Sequence, residues 1–268
     1  MKNLSWIVSV AVLTLACHCS VGQELKQLLP GLWVEEGVVE FDAKIAMDCH
    51  HPDTPDVYLE MFICGPDSRE HESLLVTQVL PSSLHAGLLA AGITPGGPVS
   101  YVQDEESGRV KRIAAYGDPV RLEVHMGDPK EDSGMTSGWI SILDWAVHVE
   151  NEVLLSEEPR WDGFVFAGSV LDEGIARGPK YGADREGSHV SLTAFGHEVI
   201  SPVWIVSPDA GVDEPVWIAN RDLVPEFGSA VRVRITRTVE NEEDDDGEIL
   251  EMRTDDSHQP DGIHIDDR

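Results

Sequence analysis

Tyr58–Gly92, YLEMFICGPDSREHESLLVTQVLPSSLHAGLLAAG, is the most densely patterned stretch of the chain, and its reading decides the fold. Val57 to Cys64 is a largely apolar run of strand length, interrupted by Glu60. Gly65-Pro66-Asp67-Ser68 is turn chemistry: proline presets φ, while glycine and aspartate tolerate tight backbone. Ser73 to Leu80 is a second apolar run, so the two are expected to pair as a hairpin. Ser82 or Ser83 then caps a helix that runs to Ala91 and ends at Gly92.

Working outward, Val38 to Met47 alternates as a strand. His50-His51-Pro52-Asp53-Thr54-Pro55 turns the chain into Val57–Cys64, which predicts a further hairpin. Before it, Gln23 to Gly37 is a short amphipathic lead-in. Downstream, Val120 to Met126 places Leu122, Val124 and Met126 on one face, and Gly127 to Gly138 is a polar turn. Trp139–Leu143, Ala146–Val149, Gly163–Val170, Val190–Phe195 and Val203–Val206 are short strands, with a glycine-rich loop at Gly174–Gly187. The closing strand Val231–Thr238 turns Val231, Val233 and Ile235 inward and Arg232, Arg234 and Arg237 largely outward. The pattern is that of one strand-rich α+β domain with one principal helix, over residues 23–239.

The formal net charge is -30, of which the segment 240–268 carries -11 through 13 acidic and 2 basic residues. That segment has too little apolar surface to pack and is expected to be a disordered acidic tail. The body is acidic too, and such a field repels phosphate backbones, which argues against nucleic-acid partners. At the other end, Lys2 followed by the apolar run Trp6–Ala16 has the form of a signal peptide covering residues 1–22. The run is too short to span a bilayer, which takes ~20 residues. Cleavage fits either between Gly22 and Gln23 or before Cys17, where acylation would leave a lipid anchor. Both lead to the periplasm or cell envelope. Cys49 and Cys64 remain after processing, and export invites a disulfide. If Val38–Asp48 and Val57–Cys64 pair around His51–Pro55, Cys64 lies about 23 Å along the strand from the position opposite Cys49, whereas bridged Cα atoms lie within about 7 Å. Their redox state stays open at this level.

His71-Glu72 and His197-Glu198 fail as H-E-x-x-H zinc motifs, because Leu75 and Ser201 occupy the fifth place. A looser metal site would draw on Cys64 and His71, facing across the expected hairpin, with His85 further off. Cys64 beside His71 is also the pairing of covalent catalysis. Glu60 is a carboxylate on the face of Tyr58 and Phe62, and burial there demands a donor such as Arg69, His71 or the turn amides. No phosphate loop, dinucleotide fingerprint or nucleophile elbow occurs, and no cofactor is indicated. Glu242-x-Asp244-x-Asp246-Gly247 imitates a calcium loop, but Arg253 stands where a bidentate glutamate belongs. The tail therefore suits weak, diffuse divalent-cation binding at most.

Several motifs, in order, resemble the YdjY-domain family of bacterial, often exported proteins. They are Leu59-Glu60, Glu70-His71-Glu72-Ser73, Leu84-His85-Ala86 with Leu88-Leu89, and Gly92-x-x-Pro95-Gly96. Further on come Trp161 with Phe164–Ser169, Gly187–Leu192, and Pro225-x-x-Gly228-x-x-Val231-x-Val233. The likeness spans roughly residues 38–236 and implies no established activity. The sequence thus points to an exported envelope protein acting as a non-catalytic binding or accessory module. Glu60, His71, Glu72 and His85 are its candidate binding residues. The rival reading is a metal-dependent or Cys/His enzyme using Glu60, Cys64, His71 and Glu72.

Overall fold

The computed structural model describes residues 25–103, 110–127, 138–172, 180–204, 206–207 and 210–238. The expected signal segment, most of the polar turn before Gly138, and the acidic tail lie outside the described residues. Ten strands frame the fold: β1 (Lys26–Leu29), β2 (Leu32–Glu35), β3 (Val38–Ile45), β4 (Met61–Cys64), β5 (Ser73–Val76), β6 (Pro119–Met126), β7 (Phe164–Phe166), β8 (Ser188–Ser191), β9 (Ile200–Pro202) and β10 (Ala230–Arg237). Two α-helices stand among the described residues, α1 (Pro81–Ala90) and the five-residue α2 (Gly182–Glu186). The strand-rich α+β expectation therefore holds.

The strands close into an eight-stranded barrel in the order β3-β10-β6-β7-β9-β8-β4-β5 and back to β3. Closure rests on β3, an eight-residue strand whose one edge serves two partners. Its first half pairs with β2 (Leu32↔Phe41 to Glu35↔Val38), its second with β5 (Lys44↔Val76, Ile45↔Leu75). Strict alternation makes this possible: Val39, Phe41, Ala43 and Ile45 share one buried face. By register they continue into Val231, Val233 and Ile235, and from there into Leu122 and Val124.

The opposite face of these strands corrects the expectation that the closing-strand arginines lie outside. Arg232 is only 5% exposed, because its guanidinium stacks 3.8 Å over Trp33 and pairs with Asp42 at 3.0 Å. Arg234 stacks 3.8 Å over Trp139 and donates twice to Glu40 Oε1, at 2.9 and 2.6 Å.

Both expected hairpins are overturned. β4 pairs with β8 and β5 and has no pairing with β3. β4 and β5 themselves run parallel, Met61↔Ser73 to Cys64↔Val76. The turn after Cys64 does not reverse the chain into its neighbour; a 3-10 turn at Glu70–Glu72 carries it back to the start of β4. Gly187, with φ +69°, makes room for this return, since a Cβ there would stand 2.6 Å from Ser68 Oγ. Gly65 N–H donates to its carbonyl at 2.8 Å.

Helix α1 starts without the predicted serine cap. Leu80 is the N-cap, Pro81 takes the first helical position, and the amide of Ser82 is satisfied by Asp184 Oδ1 of α2 at 2.7 Å. Its end is as expected: Gly92 adopts φ +75° and Ile93 N–H bonds back to Leu88 O at 3.0 Å. α2 sits inside the stretch read as a glycine-rich loop, and the strand near residue 203 is instead Ile200–Pro202. Cys49 and Cys64 are both buried free thiols. No helix among the described residues is long and apolar enough to cross a membrane.

Candidate functional site

The parallel register of β4 and β5 does what a hairpin could not. It sets residue 60, just before β4, beside residue 72, just before β5, and Glu60 N–H donates to Glu72 O at 3.0 Å. The two carboxyl groups consequently stand as neighbours, both beside one arginine. Arg69, on the same return loop, donates to Glu60 Oε2 at 2.9 Å and stands 4.0 Å from Glu72 Oε2. Its guanidinium is held over the Phe195 ring at 4.3 Å. Glu70 stiffens the loop by accepting the amides of Asp67 and Ser68 at 2.6 and 3.0 Å. Burial opposes its charge, but these amides, its own backbone amide and nearby His71 together hold its carboxyl below the usual range.

Two acids face one guanidinium here. Burial, and then the neighbouring Glu72 carboxylate, push the Glu60 pKa up, with Arg69 only partly offsetting them. Glu60 therefore keeps a proton more readily than an exposed glutamate. Both side chains remain reachable, 25% and 30% exposed, and both line a cleft of about 570 Å³. Its other walls carry Tyr58, Trp204 and Trp217, with Arg160 stacked on Trp204 at 4.7 Å and His148 edge-on to Trp217 at 5.5 Å. Trp217 sits on a short strand, Trp217–Ala219, that pairs with Ala146–His148.

The residues singled out in the sequence separate. Glu60 and Glu72 meet at the cleft. The side chain of His71 is 75% exposed, touching only the rim through Glu72 Oε1 at 3.6 Å. Cys64 is fully buried, and burial pushes its thiol pKa up, away from thiolate chemistry. His85 belongs to a different place: its Nδ1 lies 2.8 Å from Tyr181 Oη, whose hydroxyl donates to Gly168 O at 3.0 Å. With its ring against Phe166, His85 ties α1 to the end of β7, and burial lowers its pKa. Among the described residues no group of three or more His, Cys, Asp or Glu side chains is arranged to hold a metal ion.

The far wall of the cleft escaped the sequence reading. His148, Arg160, Trp204 and Trp217 are separated from Glu60 by about 90 residues or more of chain, and none sits in a motif. The weak available signal is compositional: seven tryptophans in an acidic protein, since binding clefts are lined largely by apolar and aromatic side chains.

Residues 34–236 match the model of the YdjY domain, and the chain belongs to that family. No curated protein and no solved structure matches the chain.

Proposed function

We propose that this YdjY-domain protein is an exported, non-catalytic binding module of the cell envelope, and that it takes a small ligand in the cleft beside Glu60 and Glu72. The observation that carries the reading is the cleft itself. At about 570 Å³ it has the size of a small-molecule site, with aromatic walls and polar groups, the Glu60–Glu72 corner among them, to orient a ligand. Against the Cys/His enzyme speaks the separation of Cys64, buried with a raised thiol pKa, from His71, whose imidazole faces solvent. A nucleophile needs its base within hydrogen-bond reach. Export is supported by Lys2 and the apolar run Trp6–Ala16.

A second reading has one observation in its favour. A carboxyl pair with one member's pKa raised is also the apparatus of general acid–base catalysis. The two separate on Glu60→Gln, which keeps shape and a hydrogen-bonding group but cannot shuttle a proton. Ligand soaked into crystals or titrated by NMR should still occupy the cleft of this variant, unchanged by turnover. Conversion of a bound ligand by the parent chain, lost in the variant, would overturn the non-catalytic half. Fractionation of the native host with intact-mass analysis tests export: product retaining residues 1–16 in the cytoplasm would sink it.

A further inference from the structure

The cleft's walls say more about its occupant than its volume does, and this step rests on the binding reading above. Its carboxylates are Asp56, Glu60, Glu72, Asp213 and Glu214, against Arg160 as the lining guanidinium. Some of these acids are already engaged. Asp56 pairs with Arg221 at 2.7 Å, Asp213 accepts Ser207 N–H at 2.7 Å, and Glu60 takes Arg69 at 2.9 Å. Glu72 is held only loosely, with Arg69 at 4.0 Å and an exposed imidazole at 3.6 Å, and Glu214, exposed at the rim, has no cation beside it among the described residues. A single guanidinium beside two neighbouring carboxyl groups that both line the cleft leaves negative charge over on that wall. A compact divalent ion is a poor answer to it, because such an ion needs several converging oxygen ligands and no group of three or more His, Cys, Asp or Glu among the described residues is arranged to supply them. A soft organic cation is a good one: the aromatic rings of Tyr58, 42% exposed, and Trp204 offer π-faces alongside the acids. Trp217 adds an independent demand. It is 3% exposed, lines the cleft, and its indole N–H has no hydrogen-bond partner in the protein. A buried donor of this kind asks for an acceptor.

We infer that the cleft binds an organic ammonium compound that also carries oxygen acceptors, its cationic nitrogen against Glu72 and Glu60, its flat or apolar side against Tyr58 and Trp204, and an oxygen toward Trp217. Amino sugars and amino alcohols have this chemistry.

The test uses the purified chain and four probes: glucosamine, glucose, 1,4-diaminobutane and magnesium, followed by calorimetry and by tryptophan indole resonances. Glucosamine should bind best, diaminobutane more weakly, and glucose and magnesium not measurably. Glu72→Gln should weaken glucosamine about tenfold or more, the scale of a lost charge-assisted hydrogen bond. Tyr58→Ala should weaken it roughly two- to fivefold. Both side chains are partly exposed, so both variants should fold. Trp217→Phe should cost affinity for glucosamine and spare diaminobutane. Should Trp217→Phe not fold, Glu72→Gln and Tyr58→Ala decide alone. If glucose binds as tightly as glucosamine, or Glu72→Gln binds as the parent does, the cation assignment is wrong while the cleft stands as a binding site. If magnesium displaces glucosamine competitively, the site is a metal site and the assignment is again wrong. If no probe moves any cleft resonance, the ammonium inference falls; if a broad fragment screen also leaves the cleft empty, the binding reading falls with it.

Discussion

Two corners of this protein are built from the same parts and end in opposite electrostatic states. On the outer face of β3 and β10, one glutamate lies between two arginines. Glu40 receives Arg234 at 2.6 Å and Arg232 at 3.5 Å, and each guanidinium is capped by a tryptophan ring. Glu40 is 3% exposed. At the cleft the ratio is inverted: Glu60 and Glu72 share Arg69, and all three side chains are a quarter to a third exposed. The first corner is saturated in charge, its guanidiniums stacked on tryptophan rings, so that although Trp33, Asp42 and Arg232 line a cavity of about 680 Å³, no surplus charge is left there for a ligand to satisfy. The second carries surplus charge beside open aromatic walls. The lesson is that an Arg–carboxylate cluster is diagnostic through its stoichiometry and its lid, more than through its presence.

The sharpest way to break the comparison is to remove the acid from the saturated corner. Glu40→Ala should leave buried Arg232 with Asp42 and take from the partly exposed Arg234 the carboxylate it donates to twice, destabilising by roughly 3 kcal/mol, read as a shift of the urea midpoint. An effect below about 1 kcal/mol would mean that corner is as loosely held as the cleft.

Acid offers a second contrast. His189 is completely buried, its Nε2 lies 2.6 Å from Val79 O, and desolvation pushes its pKa down to about 4. Because the folded value lies below the unfolded one, near 6.5, the unfolded chain takes up the proton first. Stability is therefore full above about pH 6.5 and falls as pH drops toward 4, by roughly 3 kcal/mol. Glu60 runs the other way: its raised folded pKa gives a contribution present below about pH 4.3, the unfolded value, and lost as pH rises through the folded value. Chemical denaturation of the parent and His189→Gln at a series of pH values separates them. A parent curve flat between pH 6.5 and 4 would show that His189 is already charged in the fold.

Gly187→Ala acts on the cleft corner alone. The new Cβ would meet Ser68 Oγ at 2.6 Å and Ser68 Cβ at 2.7 Å, at a φ of +69° that side chains rarely adopt. The expected cost is ~1–3 kcal/mol. Faster amide exchange should appear in residues 65–72, with β10 unchanged. Equal loosening of both corners would refute their independence. The smallest effect belongs to Glu60→Gln. Its ion pair is partly exposed and screened, so the thermal midpoint at neutral pH should move by the equivalent of less than about 1 kcal/mol. A large loss would place Glu60 with Glu40 among the structural carboxylates.

These particulars mark what was legible in the sequence. β3, β6 and β10 were readable because each gathers its apolar residues on a single face and so alternates apolar with polar, even where polar residues such as Glu40 and Arg232 are buried on the other face. The relation of β4 to β5 was not. Gly65-Pro66-Asp67-Ser68 declares a turn, but a local turn carries no information on whether the chain reverses for good or loops back, and here it loops back. That one ambiguity hid the meeting of Glu60 with Glu72, and it lent Cys64 and His71 a false appearance of facing each other. α2, five residues within a run containing Gly174, Gly178, Gly182 and Gly187, is too short to show a helical period. The N-cap of α1 was misplaced for a related reason: the group that satisfies Ser82 comes from Asp184, 102 residues away. The arginines of β10 alternate as an outward face should; only their tryptophan lids, from β2 and from Trp139, bury them.

The double use of β3's edge has a mechanical consequence. A ring of strands cannot be unzipped from one side, because each strand is held by neighbours on both. The ring has thin seams: β8 meets β9 through one register pair, Val190↔Ile200, and the closing seam joins β3 to β5 through only two, Lys44↔Val76 and Ile45↔Leu75. Pulling on that seam would open the ring into a curled sheet while leaving the β1–β2 hairpin attached to the other half of β3. The two halves of a single strand thus belong to different cooperative units: one rises and falls with the closed ring, the other with the hairpin that flanks it.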